Sequence, residues 1–332
     1  MTTETYRVLI AGKVHGAGVA LLRQRPDIAT DLVEAVTTEA YRPFLPNADA
    51  ILIRTQPMKA AEIALAPKLK IVSRHGVGYD AIDVAALNAR RIPLAIVGDV
   101  NSRAVAEHTL MLMLAAARRT VAHHIASTTG HWNERNRFDS TELDGKSLLV
   151  LGFGRIGRRV AELANAFGMV VSAFDPFVTA EQMAPIGVSY APDMTNALAT
   201  ADYVAVHLPG GQGPVIGAAE LARMKSSAII VNAARGGIVD ELALDSALRE
   251  RRLRAAALDV LAEEPPAQEH PLLNNPFITI SPHNAGLTEE CAMRMSIAAA
   301  QNILDAFDGR LDRKLIVNAE SAGLTLTKKR MF

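Results

Sequence analysis

The sequence predicts an α/β protein made of two doubly wound parallel-sheet domains with a cleft between them. Three observations carry that expectation. Short β-branched apolar runs alternate with alanine-rich helical segments through the first hundred residues, and the same alternation restarts at Ser147. Between the two series, Gly130 to Gly145 is polar and aperiodic, as an exposed connection is. The length of 332 residues suits two domains at roughly 100–200 residues each.

In the first series Tyr6–Ala11, Asp49–Arg54, Leu69–Arg74 and Ile92–Val97 read as strands, bounded by Gly, Pro or Asp; Ala17–Gln24 and Ala81–Ala89 read as helices. Next comes a helix capped by Asn101 or Ser102 that is apolar nearly all round from Val105 to Ala117. A helix without a polar face must be buried, in a domain joint or against another subunit, and the simpler assumption is a homodimer through residues 102–120. The second series has strands at Ser147–Gly152, Val170–Asp175, Asp202–Leu208, Ala228–Ala234, Ala255–Val260 and Phe277–His283. Its helices are Arg155–Phe167, Asn196–Ala201, Ala218–Met224 and Glu241–Glu250. A last helix, Glu289–Phe307, precedes a short strand at Lys314–Asn318 and a polar tail, 319–332.

Composition excludes several classes. Lys plus Arg and Asp plus Glu both number 35, so the net charge is zero and no nucleic-acid partner is expected. The single cysteine, Cys291, cannot form an internal disulfide, and a reducing cytoplasm is the expected location. Metal-binding cysteine clusters are excluded, and no metal is expected. Polar residues without a basic region precede the first apolar run, so no signal peptide is expected. The apolar run Leu110–Ala117 falls far short of the ~20 residues of a membrane span, so no membrane partner is expected either.

The strongest local signal is GFGRIG, which places Gly152, Gly154 and Gly157 after a strand and at the start of a helix. In that context the first glycine makes the tight turn, the second admits a pyrophosphate, and the third allows close helix packing. Asp175 ends the next strand, where a carboxylate can accept hydrogen bonds from a ribose. Pro176, Phe177 and Val178 follow it, with no arginine for a 2′-phosphate, which favours NAD over NADP. Gly12, Gly16 and Gly18 also follow a strand, but their spacing does not fit this fingerprint.

Ionisable groups gather at three later strand ends: Arg235 in NAARGG, Asp259 and Glu264 in LDVLAEEP, and His283 in ITISPH. In doubly wound sheets that edge binds ligands. Arg235 alone is either a surface residue or a two-point clamp on a carboxylate; convergence with the others favours the clamp.

These segments, with RHGVGYDAID, NSRAVAEHT, VHLP and SPHNAGLT, resemble the D-isomer-specific 2-hydroxy acid dehydrogenase family over nearly the whole chain, in particular phosphoglycerate dehydrogenases and hydroxypyruvate/glyoxylate reductases. The resemblance implies two Rossmann/flavodoxin-like domains that are not sequential halves: residues 1–100 plus 286–332 bind substrate, and 101–285 bind NAD. It implies Arg235 as the substrate-binding arginine, Glu264 as the partner carboxylate and His283 as the general acid/base. The backbone amides of Val77 and Gly78 would meet the substrate carboxylate, and Asp259 would lie near the nicotinamide. With the glycine loop, the cofactor-binding set becomes Gly152, Gly154, Arg155, Ile156, Gly157, Asp175, His207, Pro209, Ala233, Asp259, His283 and Gly286. The implied partner is a small anionic 2-keto or 2-hydroxy acid. Candidates are 3-phosphoglycerate, hydroxypyruvate, glyoxylate or a sulfo-analogue.

Arg54 and Arg74 each close a strand, and are either solvated strand-end charges or the binders of a second anionic group on the substrate. Arg135 and Arg137 are exposed charge or a contribution to a partner subunit's site. For His207, at a strand end near the cofactor, structural support of its loop outweighs catalysis; His108, His123 and His124 read as packing or surface residues, and Trp132 and Cys291 as packing residues. The competing function is an NAD(H)-sensing interaction protein, like the corepressors that share this fold. A formate dehydrogenase is disfavoured because that family has glutamine at the Glu264 position.

Overall fold

A computed structural model describes residues 5–211 and 213–323. The chain forms two compact units. The first joins the chain up to Asn101 to the chain from Thr288 onward, and the second is Ser102–Leu287, so the joins fall slightly later than the expected 100/101 and 285/286.

The first unit holds β1 (Tyr6–Ala11), β2 (Ile28–Val33), β3 (Ala50–Ile53), β4 (Ile71–Arg74) and β5 (Leu94–Ala95), ordered β2-β1-β3-β4-β5. Every pairing is parallel, and the order is the flavodoxin-like one, which reverses between β1 and β3. Its central strands are continuous apolar runs because helices cover both faces of a parallel sheet; Val8–Ala11 and Ala50–Ile53 are fully buried. Strand β2 lacks such a run. It lies at the sheet edge and carries Asp31, which accepts from Arg7 Nε at 2.6 Å.

Several helix starts are set by side-chain caps. The expected Ala81–Ala89 helix begins at Val84, because the Asp83 carboxylate accepts from the Ala86 N–H at 2.9 Å. The helix Glu289–Phe307 is capped by Thr288 and packs into this unit. Ser73 Oγ donates to its Ala299 carbonyl at 2.8 Å, and Ser296 Oγ donates to the His15 carbonyl at 2.7 Å. No strand forms at Lys314–Asn318. Asp312 caps a 3-10 turn at Arg313–Leu315, Ile316 makes an isolated antiparallel bridge to Ala95, and the Asn318 side chain binds Leu94 N–H and the Ile92 carbonyl. The later part of the expected tail, 324–332, lies outside the described residues.

The second unit holds β6 (Ser147–Leu151), β7 (Val170–Phe174), β8 (Ser189–Tyr190), β9 (Tyr203–Val206), β10 (Ile229–Asn232), β11 (Ala255–Leu258) and β12 (Ile278–Ile280). Their order is β12-β11-β10-β9-β6-β7-β8, all parallel. This is the Rossmann order, extended by one strand, with its reversal between β6 and β9.

The helix Ser102–Ala117 packs against the helix Arg155–Ala166 and against β10 and β11. Its apolar character is therefore met largely within its own unit rather than at a subunit interface. Exposed apolar groups fall on the next segment. The helix Thr120–Thr128 buries no residue, and beyond it Trp132, expected to be a packing residue, is 64% exposed and Phe138 is 90% exposed. No helix among the described residues is long and apolar enough to cross a membrane.

The helix Gly16–Arg23 offers a paired test of packing. A methyl group on Gly18 would collide with the hydroxyl and carbonyl oxygens of Ser296, whereas one on Gly16 meets nothing within 4 Å. Gly18→Ala should cost about 1–3 kcal/mol through overpacking, and Gly16→Ala should be neutral or stabilise by about 0.4–1 kcal/mol. Urea denaturation of the two variants checks this, and equal midpoints would contradict the packing assigned to Gly18.

Candidate active site

The sequence GFGRIG forms the turn from β6 into the helix Arg155–Ala166, at the point where the strand order reverses. Gly152 has φ +91°, and a Cβ there would stand 2.5 Å from the His207 carbonyl oxygen. At Gly157 a Cβ would collide with the Gly152 carbonyl, so this glycine lets helix and strand meet. Gly154 differs from both: a Cβ there meets nothing within 4 Å. It caps the helix without a side-chain bond, and the N–H groups of Arg155, Ile156 and Gly157 have no acceptor among the described residues. Close packing at the first and third glycines, open space at the second and orphan amides behind it form a cradle for a pyrophosphate.

Asp175 follows β7 directly. Its two carboxylate oxygens accept from Phe153 N–H at 2.7 Å and Phe177 N–H at 2.8 Å, so the carboxylate is fixed beside the glycine turn with lone pairs remaining. His207, at the end of β9, contacts that turn through its backbone. Its ring nitrogens are buried without a hydrogen-bond partner among the described residues, and burial pushes the imidazole down to about 4, which keeps it neutral.

The catalytic candidates come from β10, β11 and β12, adjacent parallel strands in which Asn232 pairs with Leu258 and Leu258 with Ile280. That register sets Asp259 immediately beyond one strand end and Arg235 and His283 three residues beyond its neighbours. His283 Nδ1 lies 2.6 Å from Glu264 Oε2. The other Glu264 oxygen accepts from Leu261 N–H at 3.0 Å. Burial pushes the Glu264 carboxyl up, but the bonds from His283 and Leu261 outweigh it and hold the group below its ordinary value. Glu264 is thus an anion facing the imidazole.

Arg235 is partly buried, and its Nη1 donates to the Ala234 carbonyl at 2.6 Å. Asn232 shapes its turn: the amide nitrogen donates to the Arg235 carbonyl at 2.8 Å and the amide oxygen accepts from Ala234 N–H at 3.0 Å. A Cβ on Gly236 would collide with the Leu261 carbonyl, so the arginine turn lies against the loop that carries Glu264. Ala233 packs with Val105 and Ala285 and against Ile156.

Asp259 is 1% exposed and its carboxylate holds the next turn together. It accepts from Ser281 Oγ at 2.6 Å and from the N–H groups of Asn284 and Ala285, each at 3.0 Å, and His108 Nε2 stands 3.3 Å away. Burial pushes its pKa up; the bonds from His108, Ser281 and the two amides outweigh that and leave it below the ordinary value. His108, Ser281, Asn232 and Gly236 are the members of this site that sequence reasoning missed. The double glycine after Arg235 was the one legible hint.

In the first unit, β4 runs into the loop 74–78. Arg74 folds back on it: Nε donates to the Gly78 carbonyl at 2.8 Å and Nη1 to the His75 carbonyl at 2.7 Å. The N–H groups of Val77 and Gly78 have no acceptor among the described residues. Arg54, at the end of β3, donates from Nη1 to the Lys13 carbonyl at 3.0 Å. Arg137 pairs with Glu134 at 2.5 Å on the surface.

The glycine cradle predicts a separation of binding from stability. Gly154→Ala should leave stability within about 0.5 kcal/mol yet weaken NADH binding at least about tenfold, because the methyl enters the space left for the pyrophosphate. Gly157→Ala should destabilise the fold outright. Fluorescence titration with NADH beside thermal denaturation reads both effects; unchanged affinity in the Gly154 variant would remove the cradle.

Residues 110–285 match the family model described as "D-isomer specific 2-hydroxyacid dehydrogenase, NAD binding domain". The chain is 36% identical over 313 residues to a D-3-phosphoglycerate dehydrogenase of Methanocaldococcus jannaschii, covering 93% of this chain and 59% of that protein. It is 39% identical over 305 residues to one of Mycobacterium leprae, covering 91% and 57%. It therefore spans less than three fifths of the length of these relatives. Among solved structures, the TT0316 protein of Thermus thermophilus superposes with a TM-score of 0.87 at 30% identity, over 94% of this chain and 99% of that one. With a matched NAD-binding domain that takes in the glycine cradle, the strand-end arginine and the histidine–glutamate pair, the chain belongs to the D-isomer-specific 2-hydroxy acid dehydrogenase family.

Proposed function

We propose that this chain interconverts a D-2-hydroxy acid and its 2-keto acid in an NAD-dependent reaction, with His283 as general acid/base, Glu264 as its partner and Arg235 as binder of the substrate carboxylate. The observation that carries the reading is the 2.6 Å contact between His283 Nδ1 and Glu264, one strand away from Arg235. When bound, the nicotinamide supplies a hydride to the keto carbon or takes it back from the alcohol. As the hydride adds, the carbonyl π electrons move to oxygen, and His283 gives that oxygen its proton. Nδ1 faces Glu264, so Nε2 is the nitrogen that moves the proton. The Glu264 anion stabilises the imidazolium, and Arg235 stabilises the charge developing on oxygen. Oxidation runs the same steps backwards.

Asp175 supports NAD over NADP, since a fixed carboxylate beside the glycine turn accepts ribose hydroxyls and repels a 2′-phosphate. For the first unit we infer anion binding: the amides of Val77 and Gly78, without an acceptor among the described residues, suit a carboxylate. Arg74, with two of its nitrogens bound to carbonyls of the same loop, maintains that shape. Arg54 is then the better candidate for a second anionic group. The named relatives are phosphoglycerate dehydrogenases, which favours a phosphorylated 2-keto acid over hydroxypyruvate, glyoxylate or a sulfo-analogue.

One panel tests both levels. With NADH and a series of 2-keto acids, His283→Ala should lower turnover at least about 10²-fold on every substrate, while Arg54→Ala should lower kcat/KM only on doubly anionic ones. NADH binding without turnover on any keto acid would sink the enzyme reading and point to a sensor.

We also infer a homodimer. Met111, Val121, Ile125 and Trp132 are all exposed and lie within one stretch of the second unit, apolar area that a second copy would cover. Sedimentation should give twice the chain mass, and the double substitution Val121→Asp, Ile125→Asp should give monomer; a monomeric unaltered protein would end this inference.

A further inference from the structure

Three side chains of the second unit form a partly buried relay behind His283. Ser281 Oγ donates its one proton to Asp259 Oδ1 at 2.6 Å. Its contact with His108 Nε2, at 2.9 Å, must therefore be one in which the hydroxyl accepts, so Nε2 of His108 carries a proton. The same nitrogen lies 3.3 Å from Asp259 Oδ1 and donates into the gap between the two oxygens. The direction matters. In a nucleophilic Ser-His-Asp arrangement the hydroxyl gives its proton to the imidazole; here it receives a hydrogen bond from the imidazole and cannot be activated. The relay has no acyl-transfer chemistry, and its end point is the turn that carries His283.

That turn needs holding. His283 has φ +50°, in the left-handed region that a non-glycine residue adopts only when its surroundings fix it. Its own N–H donates to the Asp259 carbonyl at 2.8 Å, and the next two amides donate to the Asp259 carboxylate. Asp259 and Ser281 stand at the ends of β11 and β12, inside the site. His108 comes from elsewhere, the helix Ser102–Ala117, which packs against β10, β11 and the helix Arg155–Ala166. It is the one side chain of the relay that ties the turn to a packed helix.

We propose that His108 is a positioning residue. Through Ser281 and Asp259 it holds the His283 turn in the conformation where Nδ1 meets Glu264 and Nε2 is left for proton transfer. This rests on the reading of His283 as the proton-transfer group, so the test includes a measurement that needs no turnover.

The test uses the full chain with His108→Leu, which fills the space without a donor, and His108→Gln, whose amide N–H2 can take the place of Nε2–H. His108→Leu should lower kcat about 10- to 100-fold, the range for a slight misplacement of a reacting group, and leave KM for the keto acid and the Kd of NADH within about twofold. Hydrogen exchange of the segment 281–286 should lose protection in the same variant, and His108→Gln should recover both rate and protection. Ser281→Ala breaks the relay at its middle and should repeat the loss of protection even where the His108→Leu protein does not fold. Wild-type kcat and protection in His108→Leu, or a glutamine variant as impaired as the leucine one, would overturn the proposal. If no keto acid is reduced by the unaltered protein, the function fails and exchange alone decides whether the relay holds the turn.

Discussion

The carboxylate of Asp259 is the group on which the geometry of the second unit's strand-end turns depends. An ionised carboxylate held this deep costs several kcal/mol unless donors surround it. The chain meets that requirement with donors from its own working parts: a hydroxyl on β12's end, two amides of the following turn and an imidazole from a helix. Satisfying the charge therefore fixes the geometry. The same bonds that keep Asp259 ionised hold His283 in a conformation it would not otherwise keep, and the ring then reaches Glu264.

The two units share an architecture and divide its use. Both are parallel sheets whose strand order reverses, and each has an open glycine between two closely packed ones, Gly16 in the first and Gly154 in the second, but only the second has the GxGxxG spacing. In the first unit Gly18 lies against Ser296, so this glycine serves packing. Its strand-end loop 74–78 differs in kind: the arginine folds onto the loop's own carbonyls, and two amides have no acceptor among the described residues. A guanidinium used as a brace and one used as a clamp look alike in a sequence: Arg74 shows the first use, and the second is the role proposed for Arg235.

Much of the fold was legible because buried parallel strands are continuous apolar runs. β2 and β8 escaped notice because edge strands have no such run, and Lys314–Asn318 was misread because Asn318 binds through its side chain. The placement of Arg235, Glu264 and His283 beyond the ends of adjacent strands was legible from the strand pattern. His108 was not, because it meets Ser281 across 173 residues of chain, and nothing local in a helical histidine reveals a partner so distant. Trp132 misled in the opposite sense: its size suggested burial, but the segment around it has no core to enter.

The interrupted first unit has a consequence for synthesis. Its sheet is complete at β5, but the helix that covers Ser73 and Gly18 begins only at Glu289. The 186 residues of Ser102–Leu287 must emerge in between, which at ribosomal rates of about 5–20 residues per second takes roughly 10–40 s. Throughout that interval the amino-terminal strands have one apolar face without its cover, while the contiguous second unit has everything it needs to fold. The order of assembly is thus written into the connectivity: the nucleotide-binding unit can be finished before the unit that precedes it on the chain.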